Sequence, residues 1–119
     1  MKEAEALVAD FHKRFGIPIG GSWDIKERRR LRRELLWEEY CEYGRGEGYN
    51  DLVEVADGLA DLIYVAIGTA LEYGIPITEI FREVHRTNMN KVATPNGGKI
   101  GKPTGWQPPN ILEILADKE

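Results

Sequence analysis

The sequence predicts an all-α protein, a four-helix-bundle-like protomer with an irregular Gly/Pro-rich C-terminal tail, and three observations carry that reading. Apolar residues recur at helical spacing in four successive stretches, glycine and proline separate the stretches, and no run of β-branched residues with period two occurs.

The first stretch, Glu3–Phe15, places Leu7, Val8, Phe11 and Phe15 on one side of a helix that Gly16 and Pro18 stop. After a loop over Gly16–Trp23, Asp24 is the expected N-cap of a second helix, with Glu27 completing a capping box. That helix runs through Leu31, Leu35, Leu36 and Tyr40 to an expected end near Tyr43–Gly44, because Gly44, Gly46, Gly48 and Asn50 read as a loop. A third helix runs from about Asp51 to Tyr73, where Gly74-Ile75-Pro76 breaks it. Thr78 is the expected cap of a fourth, Glu79 to about Val92, with Ile80, Phe81 and Val84 as its apolar stripe. Thr94–Pro109 holds four glycines and four prolines in sixteen residues, which resists any regular element, and Asn110–Ala116 returns as a short final helix.

The 119 residues suit a single domain, 1–119, with 94–119 as irregular tail and terminal helix. So short a chain leaves much surface exposed, so a homodimer or homotetramer is expected, with Tyr64, Ile67 and Leu71 as packing candidates. A net charge of −4 is the wrong sign for a protein that lives on nucleic-acid backbone. The single cysteine, Cys41, excludes an intrachain disulfide, and Glu3, Glu5 and Asp10 interrupt any secretory leader, which points to the cytoplasm. Leu52–Leu71 is the most apolar window, yet Glu54, Asp57 and Asp61 argue against a membrane span.

Those same carboxylates carry the chemistry. At about 100° per residue, Glu54, Asp57 and Asp61 share an arc of about 60° on the third helix, and Glu38, Glu39 and Glu42 share about 100° on the second. Two such helices packed antiparallel bring six carboxylates together, a set of hard oxygen donors that suits Mg²⁺, with Mn²⁺ as substitute. The competing reading makes Glu38, Glu39 and Glu42 a solvated face and pairs Asp57 and Asp61 with arginines of the Arg28–Arg33 run. That run is otherwise read as a solvated face pairing with Glu27 and Glu34. A di-iron centre needs Glu-x-x-His, and neither His12 nor His85 has a Glu three residues before it. Both histidines read as packing or surface residues. Asn88, Lys91, Lys99 and Lys102 supply polar and positive groups for phosphate beside Gly97, Gly98 and Gly101, and Trp106 is the candidate substrate lid.

The string Leu36-Trp37-Glu38-Glu39-Tyr40-Cys41-Glu42, followed by Asp57-Gly58-Leu59-Ala60-Asp61-Leu62-Ile63-Tyr64-Val65, resembles the all-α nucleoside triphosphate pyrophosphohydrolases: MazG-like proteins, dimeric dUTPases and phosphoribosyl-ATP pyrophosphohydrolases. Glu83–Lys91 and the tail Gly98–Pro103 with Gly105-Trp106 are similar to the small single-domain branch related to MazG. The resemblance implies a Mg²⁺-dependent enzyme in which a metal-activated water cleaves a nucleoside triphosphate to monophosphate and pyrophosphate. It implies Glu38, Glu39, Glu42 and Asp61 as metal ligands, with Glu38 or Glu39 taking the proton of the water, and a small nucleotide as partner rather than nucleic acid or membrane. The Glu that the family carries three residues before Asp61 is Gly58 here. Asp57 is the first choice of substitute ligand and Glu54 the second. Phosphoribosyl-ATP hydrolysis and a non-catalytic nucleotide-binding or scaffolding homologue are the alternatives.

Overall fold

A computed structural model describes residues 1–20, 23–95 and 97–117. Gly21 and Ser22 of the expected first loop, Asn96 of the expected irregular segment, and Lys118 and Glu119 at the end of the expected domain lie outside the described residues. Among the described residues the chain forms helices α1 (Lys2–Phe15), α2 (Arg28–Gly48), α3 (Leu52–Tyr73), α4 (Ile77–Asn88) and α5 (Ile111–Ala116), and no strand. No helix among them is long and apolar enough to cross a membrane. The chain falls into two compact units, Met1–Ile75 and Pro76–Glu119.

In the first unit α1 ends where expected, because Gly16 adopts the left-handed conformation (φ 67°) and Ile17 N–H returns to the His12 carbonyl at 2.9 Å. Its buried face matches the expected one only at Val8. Val8 and His12 are each 2% exposed, whereas Leu7, Phe11 and Phe15 are open to solvent. The expected Asp24/Glu27 capping box does not form either. Asp24 Oδ1 accepts from Lys26 N–H at 2.9 Å, Lys26 itself is left-handed (φ 55°), and α2 starts only at Arg28, where Glu27 makes no cap bond. A short polar side chain that bonds its own turn delays the helix it was expected to start.

The glycines at 44, 46 and 48 lie within α2, which continues to Gly48, correcting the expected loop there. The reason is packing. A β-carbon on Gly46 would stand 2.8 Å from Val55 N, and one on Gly58 would stand 2.8 Å from Tyr43 Cα, so both glycines let α2 and α3 approach backbone to backbone. The contacts run in opposite chain directions, from Gly46 against Val55 and Tyr43 against Gly58 to Arg32 against Val65 and Thr69 and Arg28 against Glu72, which makes α2 and α3 an antiparallel hairpin. α3 has the expected bounds: Asp51 caps it by accepting from Glu54 N–H, and Gly74 closes it with φ 77°. Ile67, Ala70 and Leu71 are its buried apolar residues, while Tyr64 is 38% exposed. We expect Gly58→Ala to destabilise the protein by about 1–3 kcal/mol through overpacking, checked by urea unfolding, since no flexible side chain end is there to move aside.

Charge is buried in this unit as well. The Glu72 side chain is fully buried and paired with Arg28 and with Arg32, whose own side chain is 7% exposed. Arg30 pairs with Glu34 and Arg29 with Asp24, so the arginine run is split between a solvated face and the interior.

In the second unit α4 starts one residue before Thr78, which is 5% exposed inside the helix rather than capping it, and Ile80 N–H reaches the Pro76 carbonyl at 3.1 Å. α4 stops at Asn88, short of the expected Val92, which instead makes an isolated antiparallel bridge with Gly101. Glu83 holds Arg86 and the Asn110 N–H, and the Asn110 side chain caps α5, as the short final helix requires.

Candidate metal centre

The α2–α3 hairpin brings three of the six predicted carboxylates together. One oxygen each of Glu39, Glu42 and Asp61 lies within 4.8 Å of the others. Glu39 and Glu42 are three residues apart on α2, hence on one face, and Asp61 meets them from α3 one turn beyond the Gly58–Tyr43 contact. The trio is half-buried.

Burial, reinforced by the neighbouring charges of Asp61 and Glu42, raises the Glu39 carboxyl from its ordinary 4.5 to about 7. Among the described residues, Glu39 Oε2 is the buried side-chain oxygen or nitrogen with no hydrogen-bond partner. Buried polar atoms are nearly always satisfied, so an orphaned carboxylate oxygen among two other carboxylates fits a divalent cation held by oxygen ligands. Without a cation the cluster is a cost. The folded state binds the Glu39 proton more tightly than the unfolded chain, so metal-free protein should lose stability as pH rises from about 4.5 to about 7. Thermal melting of wild type against Glu39→Gln checks this: the variant's advantage should grow through that window and level off above it, and Mg²⁺ should erase it.

The remaining predicted ligands lie elsewhere. Glu38 and Asp57 are exposed and outside the trio, and Glu54 is half-buried with its carboxylate 4.0 Å from Arg45 Nε. Neither Asp57 nor Asp61 is among the arginine ion pairs of the described residues, whose Arg28 and Arg32 go to Glu72. Gly58, where the resembling proteins carry Glu, has no room for a side chain against Tyr43.

Asn88, Lys91, Lys99, Lys102 and Trp106 belong to the second unit. Trp106 donates its indole N–H to the Thr87 carbonyl at 2.7 Å, with the Lys91 and Lys102 ammoniums 5.2 and 5.1 Å from its ring centre. The indole therefore clasps the end of α4, and movement as a lid would have to break that bond. Asn88, Lys99 and Lys102 are exposed.

The sequence pattern did not mark Glu72 or Arg32 as buried polar groups, whereas His12, read as a packing or surface residue, packs inside. The apolar window read on the third helix ended at Leu71, one residue before the acid that the fold buries most completely.

Comparison with known proteins adds one finding: a profile of the phosphoribosyl-ATP pyrophosphohydrolase family matches residues 8–88, a span that takes in the carboxylate trio. No curated protein matches the chain.

Proposed function

Because the chain belongs to the phosphoribosyl-ATP pyrophosphohydrolase family, within the all-α MazG-like superfamily, we propose that it hydrolyses a nucleoside triphosphate to the monophosphate and pyrophosphate. The observation that carries the reading is the convergence of Glu39, Glu42 and Asp61 around an orphaned carboxylate oxygen. These three would hold a divalent cation, Mg²⁺ or Mn²⁺, which when bound would neutralise the phosphate charge of the substrate.

The chain's own groups supply the proton chemistry. A water oxygen bonds to phosphorus, the bond to the pyrophosphate oxygen breaks, and the proton of the water passes to a carboxylate. Glu38, exposed one residue before the trio, and Glu39, through an oxygen not committed to the cation, are the proposed acceptors. Phosphoribosyl-ATP is the second reading, supported by the family that the profile describes.

Pyrophosphate release, measured over ordinary and modified (d)NTPs and phosphoribosyl-ATP with and without Mg²⁺, tests both. Equimolar monophosphate and pyrophosphate, lost on chelation, is the expected result. Failure on every substrate would reject the proposal.

Self-association is part of it. Trp37, Tyr40, Leu59 and Ile63 stand exposed on the α2–α3 hairpin, 64, 54, 46 and 55% accessible, and burying them against a second copy would favour association. Sedimentation should show a particle of at least twice 13.5 kDa at micromolar concentration, and a stable monomer would refute this.

A further inference from the structure

The first unit holds a second polar arrangement that the carboxylate trio does not use. A cavity of about 410 Å³ has Glu39 and Asp61 of the trio in its wall, with Phe11, His12, Arg32 and Tyr64 among its other lining residues. Its size is that of a small-molecule site, about 300–1,000 Å³. The Phe11 and Tyr64 rings meet edge to face, 5.5 Å between centres, yet they are 41 and 38% exposed, so ring surface is left to stack on a planar ligand.

Behind the aromatic pair lie two polar side chains, each more than nine-tenths buried. His12 is 2% exposed and its Nδ1 stands 3.2 Å from the Pro18 carbonyl. A carbonyl oxygen only accepts, so Nδ1 carries the hydrogen, and in that tautomer Nε2 is the acceptor. Arg32 is 6% exposed. Of its five N–H groups, one goes to Thr69 Oγ1, one to the Val65 carbonyl and one to Glu72, so that among the described residues two remain as donors on a guanidinium that cannot swing away. The two groups are neighbours: a β-carbon on Gly68 would come within 2.7 Å of Arg32 Nη2 and 2.9 Å of His12 Nε2. Gly68 is the residue that leaves room for a donor and an acceptor side by side.

We infer that this cavity receives the nucleobase of the substrate, with one of the perpendicular Phe11 and Tyr64 rings stacking on the base and the other meeting it edge-on, and with the Arg32 donors and His12 Nε2 reading an edge where an acceptor stands next to an N–H. The inference rests on the nucleotide reading of the trio. A bare polyphosphate would leave the aromatic walls and His12 without a use, whereas a base matches both.

Calorimetry of the Mg²⁺-loaded protein with nucleoside 5′-monophosphates, against ribose 5-phosphate as the base-free probe, tests it. In wild type the best monophosphate should bind at least about tenfold tighter than ribose 5-phosphate, the worth of one stacked base. In His12→Phe and Gly68→Ala that advantage should shrink to about threefold or less, while Mn²⁺ affinity by electron paramagnetic resonance stays within about twofold of wild type. If Gly68→Ala does not fold, Tyr64→Leu takes its place beside His12→Phe. No base-dependent advantage in wild type, or an undiminished one in both variants, overturns the inference. Base-dependent binding without hydrolysis of any triphosphate upholds the cavity and rejects the reaction. Pyrophosphate release with no base advantage does the reverse.

Discussion

Asp61→Asn and Glu42→Gln are each expected to abolish pyrophosphate release while leaving the protein folded. Groups that merely support metal ligands cost about 10–100-fold when replaced, so losing one of three ligands should cost more than a hundredfold. The fold should not suffer, because the trio stores repulsion. Three carboxylates share a space in which Glu39 is already driven to about 7 by burial and by its two neighbours, and neutralising one of them relieves that strain in the metal-free state. Each variant should therefore melt no lower than wild type without metal and gain less from added Mg²⁺. Turnover within threefold of wild type in either variant would remove the trio from the mechanism.

Glu72→Ala is expected to be the most destabilising single change in the first unit, by about 3–5 kcal/mol, because it leaves Arg32 charged in the interior without its partner. Thermal unfolding reads this as a fall of more than about 10 °C. Removing both charges together tells a pairing role from a shape role. In Glu72→Leu/Arg32→Leu no buried charge is left unpaired, so much of the loss should be recovered, although Arg28 then keeps its partially exposed position without a mate. A double variant as unstable as Glu72→Ala would mean that the residues act through packing alone. The two predictions oppose each other in sign although both remove a carboxylate from a helix interface. Glu42 sits among like charges and Glu72 between opposite ones.

Local chemistry decides some of these features and not others. The ends of α1 and α3 were legible, because Gly16 and Gly74 stop a helix by a left-handed residue that needs no information from distant parts of the chain. The ends of α2 were not. Gly44, Gly46 and Gly48 have the composition of a loop, and only the backbone of Val55 pressing on Gly46 turns one of them into a helix contact. Thr78 fails in the same way, a residue suited to cap a helix that is buried inside one.

The sequence alone determined that the protein is helical, that its break points lie near Gly16, Gly74 and the Gly/Pro segment, and that acidic stripes fall on the second and third helices. Those properties follow from residue type and the 3.6-residue period, which are local. Which carboxylates meet was decided by the tertiary structure. A stripe spans 60–100° of a helix, but two helices touch along one line, so only Glu39, Glu42 and Asp61 converge while Glu38 and Asp57 turn to water. The same line of contact leaves no space for a side chain at Gly58 and sets Arg32 against Glu72 forty residues away, and α1 adds Phe11 and His12 to the cavity that Glu39 and Asp61 also line. The rotation of one helix against another depends on the shapes of both, and periodicity along a single helix carries no record of its partner.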